Sequence, residues 1–468
     1  MSAPDVAIIM AIAVPRRLRR VVLAELDAVE QRQLVERQLA VGDEMRAQVR
    51  SIVREVRLGG DTALIELGRR FGGTMDDPDD TGRPLLRLPR ERLASAAAAM
   101  DPGLRGALRH MADNIERFHR VQVPEAEQWV DVAPGVRVGR VWRPLDRVAA
   151  YVPGGTAAYP SSVLMSAIPA RLAGVREFAV ATPAGRDGAL SEALLGACGL
   201  MGVEELYVMG GAQAIGALAW GTETVRAVDT IVGPGNAWVT AAKLEVFGQV
   251  AIDMPAGPSE VMVLADETAD PAHVAADLLS QAEHGPDSAA VLVSCSPSLA
   301  DAVEAEIGRQ LPTLPRQAEL SACLSSAGLV VQARDLDEAM EFVNLYAPEH
   351  LSVVLSDTGA ALRMIRHAGS VFLGAYAPES AGDYATGSNH ILPTARLARA
   401  TGALGVESFG KWVQVQEVTR DGLAGIRGSV ATVADAEGLT AHRRAVEIRF
   451  EASDARDRRD VSEAPRGG

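Results

Sequence analysis

A chain of 468 residues is too long for one compact core, so two or more domains are expected. Apolar residues make up 48% and charged residues 23%, the balance of a folded chain rather than a disordered one. The formal net charge of −15 repels phosphate backbones and anionic lipid, which argues against nucleic acid and membrane as partners.

The first predicted segment, residues 1–22, holds an apolar run from Val6 to Val14. That run is well short of the ~20 residues needed to span a bilayer and lacks the flanks of a signal peptide, so it is assigned no function. The basic cluster Arg16 to Arg20 reads as a solvated face. From Leu23 to Arg70 apolar positions recur at three and four, which predicts helix. Further helices are predicted near Arg90–Met100 and Gly103–His119, and a hairpin over Trp129–Trp142 about Pro134-Gly135.

From Val148 short apolar runs alternate with helical segments. The predicted strands lie at residues 148–152, 177–181, 205–208, 230–232, 251–253, 260–264, 290–294, 329–332 and 370–373. Such alternation predicts parallel sheets covered by helices on both faces, and the number of strands predicts two α/β domains. After about His390 the strands are expected to stop and helix to return. Boundaries are expected near residues 22, 150, 259, 390 and 450, with a disordered polar tail over 451–468.

Several familiar motifs are absent. The sequence contains no G-x-G-x-x-G, H-E-x-x-H, G-x-S-x-G or C-x-x-C. Gly405 to Lys411 has the start of a P-loop, but Trp412 stands where Ser or Thr would hold magnesium and no strand is predicted before it. Three cysteines, Cys198, Cys295 and Cys323, give an odd count and no metal spacing; a reducing cytoplasm is the expected compartment.

Four of the eight histidines lie in stretches crowded with Gly, Pro, acids or amides. Gln281 and His284 are three apart near a helix end at Gly285-Pro286, so both can face one point, as metal donors or as an ordinary cap. Glu349 and His350 adjoin in a turn before Val353-Val354-Leu355; they suit two separate proton transfers, or an exposed loop. Ser380 to His390 is rich in small residues that let a backbone approach a ligand, with Asp383 as an anionic donor and His390 as a substrate contact; a plain surface loop has the same composition. Glu437 and His442 flank Gly438, which is expected to break a helix. Gly210 to Gln213, Gly233 to Asn236 and Tyr151 to Gly155 are either phosphate-cradling turns or simple strand-to-helix connections.

Together Ala150–Gly155, Gly210–Ile215, Gly233–Asn236, Asp253–Val261, Ser280–Ser288, Pro348–Leu351, Pro378–His390 and Leu439–His442 resemble the signature stretches of the histidinol dehydrogenase family, in the family's order. The resemblance implies two Rossmann-like doubly wound parallel-sheet domains with helical N- and C-terminal segments that mediate an intertwined homodimer. Residues 23–150 and 260–390 would build the domain carrying the zinc and acid–base residues, 151–259 the cofactor side, and 391–450 the dimer contact. It implies Zn2+ held by Gln281, His284, Asp383 and His442, with His442 and Glu437 supplied across the dimer interface. Glu349 and His350 would be the catalytic pair. Tyr151, Gln213 and Asn236 would contact NAD+, while Ser259, Glu437, His350 and the four metal ligands would contact L-histidinol.

The activity so implied is a two-step, four-electron oxidation of L-histidinol through the aldehyde to L-histidine, consuming two NAD+. No cysteine falls in a signature stretch, which argues against a thiol nucleophile. A dehydrogenase of another small alcohol, such as a sulfonated diol, or a zinc hydrolase would use the same ligands.

Overall fold

The computed structural model describes residues 18–37, 41–76, 84–154 and 159–451; most of the expected leader and all of the expected tail beyond Glu451 lie outside them. The chain divides into two compact units. The first comprises residues up to Val123 together with Leu145–Phe409, the second Pro124–Pro144 together with residues from Gly410 on. In chain order the strands are β1 (Arg19–Val22), β2 (Arg87–Leu88), β3 (Glu127–Ala133), β4 (Val136–Pro144) and β5 (Arg147–Tyr151). There follow β6 (Glu177–Thr182), β7 (Glu205–Val208), β8 (Thr230–Val232), β9 (Ala251–Ile252) and β10 (Glu260–Ala265). The last are β11 (Ala289–Ser294), β12 (Gly328–Gln332), β13 (His350–Val354), β14 (Ser370–Leu373) and β15 (Gly410–Val418).

The first unit holds two six-stranded sheets. One has the order β1-β12-β11-β10-β13-β14 and is parallel throughout. Its strands are apolar almost without interruption, because helices cover both faces. Val261, Val263 and Leu292 pack on one side against Leu278, Leu279 and Val303. Met262, Leu264 and Val291 pack on the other against Met340, Phe342 and Val343. The second sheet has the order β2-β7-β6-β5-β8-β9, parallel except for the short edge strand β2. In each sheet the winding reverses beside one central strand, β10 in the first and β5 in the second, so both are doubly wound as the family resemblance implies.

Three expectations change. Helix Asp43–Phe71, expected to belong with the first sheet, packs Val49, Ile52, Val53 and Val56 against Ala149, Ala181 and Ile231 of the second. Its apolar face does not say which sheet it will cover, so sequence order misled. Strand β13 starts at His350, not at Val353, and Glu349 and His350 are buried, which rules out the exposed-loop reading. Strand β15 occupies 410–418, where only helix was expected; it is largely exposed, and its one strand signal is the short alternation Val413-Gln414-Val415-Gln416. Lys411 therefore sits in an antiparallel strand, and the P-loop resemblance is fortuitous.

In the second unit β15, β4 and β3 form an antiparallel sheet whose β3–β4 hairpin turns at Pro134-Gly135 as predicted. Helices Arg420–Ala436 and Thr440–Glu447 follow. Gly438, at φ +71°, makes the expected break between them.

One connection fixes where chemistry can occur. After β9 the chain runs through Asp253–Ser259 into β10, from the carboxyl end of one sheet to the amino end of the other. Asp253 is nearly inaccessible and accepts hydrogen bonds from the N–H groups of Gly233 and Met254, both at 2.7 Å. Lys243, equally buried, donates to the Asp253 carboxylate at 2.6 Å and to the Gly233 carbonyl at 2.5 Å. The pair ties the turn after β8 to the start of this connection. Lys243→Met should leave a buried carboxylate unpaired and cost about 3–5 kcal/mol, read as a lowered urea midpoint. An unchanged midpoint would show that the pair does not hold the two turns.

Candidate active site and metal centre

At the carboxyl ends of the second sheet, a groove of about 840 Å³ runs over the turns after β5, β7 and β8. It is lined by Tyr151, Gly154, Gly210, Gln213 and Asn236, at the switch point where open α/β sheets bind ligands. Gly233 adopts φ +104°, and a Cβ there would run into the Tyr151 carbonyl. Only glycine lets the turn after β8 close on β5. The Tyr151 hydroxyl accepts a hydrogen bond from Gly211 N–H at 3.2 Å, and burial pushes its pKa up. Asn236 caps helix Ala237–Val246 through Oδ1, accepting from the N–H groups of Trp238 and Val239. The three residues predicted to contact the cofactor thus share one groove.

A second cavity, of about 460 Å³, shares Asn236 and Pro153 with the groove. It is lined further by Ser259, His284, Glu349, His350, Asp383 and His390. Here the site lies at the amino ends of the first sheet. Val261 of β10 pairs with His350 of β13, so the residues just before them, Glu260 and Glu349, stand side by side.

The main chain of Glu260 holds both members of the predicted acid–base pair. Its N–H donates to Glu349 Oε2 at 2.7 Å, and its carbonyl lies 3.0 Å from His350 Nδ1. A carbonyl only accepts, so Nδ1 carries the proton and Nε2 presents a lone pair. Nε2 is buried and has no hydrogen-bond partner among the described residues. Burial lowers the His350 pKa to about 3 and keeps the ring neutral, which suits a proton acceptor. Burial, reinforced by the charges of Glu260, Glu379 and Asp383, pushes the Glu349 carboxyl well above its ordinary range, against the opposing hydrogen bond from Glu260 N–H.

The donor cluster comes from two helix ends. Gln281 lies near the end of helix Pro271–Ala282, and the His284 N–H closes the last turn on the Gln281 carbonyl at 3.1 Å. Asp383 lies on helix Glu379–Tyr384. One ligating atom each of His284, Asp383 and Glu379 fall within 4.8 Å of one another. Burial lifts Asp383 to about 6 and raises Glu379 well above the usual carboxylate range. Gln281 is inaccessible, and neither its Oε1 nor its Nε2 has a hydrogen-bond partner among the described residues.

An orphaned buried amide costs about 1–3 kcal/mol, and two buried carboxyls this close repel when ionised. A divalent cation would relieve the carboxyl repulsion, and imidazole and carboxylate donors suit zinc, with the unpartnered Gln281 Oε1 available as a further oxygen donor. The residues present therefore fit the predicted metal.

Glu379 was missed in the sequence although it precedes Asp383 by four, a spacing that puts both on one helix face. The helix is too short to show periodicity. His390 lines the cavity. Its Nε2 lies 3.3 Å from Ser162 Oγ and its Nδ1 3.3 Å from the Asp383 carbonyl. Glu437 and His442 belong to the second unit, where Glu437 ends helix Arg420–Ala436 and His442 is exposed on helix Thr440–Glu447.

A switch-point groove, a neutral buried imidazole and a metal-type cluster around one connection are the equipment of an α/β enzyme. The comparisons agree. The family model described as histidinol dehydrogenase matches residues 35–450. The histidinol dehydrogenase of Methanothermobacter thermautotrophicus is 45% identical over 421 residues, covering 90% of this chain and 97% of its own. That of Moorella thermoacetica is 48% identical over 405 residues, covering 86% and 94%. The crystal structure of histidinol dehydrogenase from Elizabethkingia anophelis superposes with a TM-score of 0.86 at 37% identity, covering 93% of this chain and 99% of that one. The chain belongs to the histidinol dehydrogenase family, a family of oxidoreductases of histidine biosynthesis.

The position of the His350 ring gives a pH prediction. A solvated imidazole has a pKa of about 6.5 and is mostly protonated at pH 5. With its pKa lowered to about 3, His350 of the metal-free protein should remain the neutral Nδ1–H tautomer down to pH 5. Nitrogen chemical shifts of selectively labelled histidine check this; an imidazolium signal for His350 at pH 5 would contradict it.

Proposed function

We propose that the protein oxidises L-histidinol through L-histidinal to L-histidine, using two NAD+ and one zinc ion per subunit, as a homodimer. The observation that carries this is the pairing of a neutral His350 with Glu349 on one backbone segment, in a cavity that also holds His284 and Asp383 and adjoins the Asn236 groove. Gln281, His284 and Asp383 would hold the metal together with His442 from a second copy. When bound, zinc supplies positive charge that fixes the imidazole and amine nitrogens of the substrate.

His350 Nε2 takes the hydroxyl proton of the alcohol as a hydride leaves the same carbon, giving the aldehyde. NAD+ is the co-substrate, received in the groove of Tyr151, Gln213 and Asn236. Glu349 accepts a proton from water as it adds to the aldehyde. Once His350 has passed its first proton to solvent, the hydrate gives a hydride to a second NAD+ and its hydroxyl proton to His350 in the second oxidation. Ser259, from the cavity wall, and Glu437, from the second copy, would hold the substrate.

The second unit supports dimerisation. Helix Thr440–Glu447 has no buried residue, and Val433, Leu439 and Ile448 are exposed in one copy. A second copy would cover that apolar surface.

The test is turnover of zinc-loaded protein with L-histidinol and NAD+, which should give two NADH per histidine; no NADH would overturn the reading. Glu349→Gln should slow oxidation of supplied histidinal by about 10²–10⁴-fold while slowing the first oxidation much less. Equal losses in both half-reactions would remove Glu349 from the hydration step.

A further inference from the structure

Resting on that reading, we propose that Arg37, in the N-terminal segment, is a positioning residue for the Glu349–His350 pair, acting through Glu260. Arg37 grips Glu260 in a two-pronged ion pair, Nε to Oε1 at 2.7 Å and Nη2 to Oε2 at 2.9 Å. The Arg37 and Glu260 side chains are 17% and 5% exposed, so water screens the pair little. Glu260 is the residue whose N–H holds Glu349 and whose carbonyl holds His350. Fixing its side chain therefore fixes the two main-chain groups that aim the pair.

Arg37 makes a second connection to the same residues. Its Nη2 donates to the Tyr346 carbonyl at 3.0 Å, and its guanidinium stacks 3.4 Å above the Tyr346 ring. Tyr346 ends helix Leu336–Tyr346. Ala347 then takes φ +52° and turns the chain into Pro348-Glu349-His350.

Among the described residues only Ala347, Ala395 and Arg396 have positive φ without being glycine. Such conformations cost about 1–3 kcal/mol each and persist where surrounding contacts impose them. The Arg37–Glu260 pair touches both turns, since Glu260 Oε1 also accepts from Ala395 N–H at 3.0 Å. Next to Ala395, Thr394 lines the cavity and binds Gly257 N–H through Oγ1 at 2.5 Å. One ion pair thus joins the N-terminal segment, the strand start and the two strained turns that border the cavity.

The segment is itself anchored. Helix Ala28–Val35 has an Asp27–Glu30 capping box and ends on the wholly buried Val35. Arg37 therefore leaves a fixed point rather than a free tail.

The experiment compares zinc-loaded Arg37→Met, Arg37→Lys and the double variant Arg37→Met with Glu260→Gln. Arg37→Met should lower kcat at least tenfold, with zinc content and both KM values changed less than about threefold. Arg37→Lys, which keeps the charge but not the fork, should recover part of the loss. The double variant removes the orphaned charge, so its melting temperature should rise above that of Arg37→Met while kcat stays low. Recovery of kcat along with melting temperature would show a merely structural role and overturn the proposal, as would a loss confined to KM or zinc. A readout independent of turnover is the His350 tautomer, seen by nitrogen chemical shifts. In Arg37→Met it should become a mixture of Nδ1–H and Nε2–H forms. An unchanged tautomer with unchanged kcat also overturns the proposal. If the wild-type protein fails to turn over L-histidinol while its His350 tautomer still responds to Arg37, the functional reading falls and the positioning role stands.

Discussion

The hydrogen bonds from the Glu260 main chain to Glu349 and His350 are the constraint on which the rest of the site depends. An adjacent acid and imidazole on a strand would ordinarily project to opposite faces. Here Glu349 precedes the strand and His350 begins it, so a single residue of the neighbouring strand reaches both, one through its N–H and one through its carbonyl. The carbonyl contact fixes the imidazole tautomer, and burial keeps the ring neutral. Backbone groups held in a parallel ladder cannot rotate far, and the Arg37 fork on the Glu260 side chain holds the residue that supplies them. This orientation holds only while the register of β10 against β13 holds.

The two sheets contribute opposite ends to one site. The glycine-rich turns lie at the carboxyl ends of the second sheet, as the switch-point rule for open α/β sheets anticipates. The acid–base pair lies at the amino ends of the first. Helix Pro271–Ala282 leaves the carboxyl end of β10 and returns its own last turn to the amino end, which carries His284 back to the cavity of Glu349. The connection Asp253–Ser259 makes the juxtaposition possible, and the Lys243–Asp253 pair pins its start. The cavity between such ends brings the His350 ring, the His284–Asp383 cluster and the Asn236 groove next to one another.

Much of this was legible in the sequence because the signals were local. Short runs such as Val-Met-Val-Leu-Ala in β10, alternating with helical segments, read as doubly covered strands. The spacing of Gln281 and His284 and the small residues about Asp383 were equally open to a cap and a surface loop by themselves, and the family resemblance carried their reading as ligands. What escaped notice depends on long-range packing. Arg37 meets Glu260 across 223 positions, and nothing near either residue announces the other. Helix Asp43–Phe71 carries an apolar face that would cover either sheet. Strand β15, at an exposed edge, alternates only over Val413-Gln414-Val415-Gln416, too short a run to stand out among the helices around it. Glu379 sits on a helix of six residues, too short for periodicity to speak.

The central claim is that Gln281, His284 and Asp383 of one copy, with His442 of another, surround a single cation beside Glu349 and His350. Diffraction from crystals of the zinc-loaded protein, recorded on both sides of the zinc absorption edge, tests it most directly. One anomalous peak per subunit within bonding distance of all four donors is predicted. A peak elsewhere, or His442 turned away from it in the assembled dimer, would contradict the account.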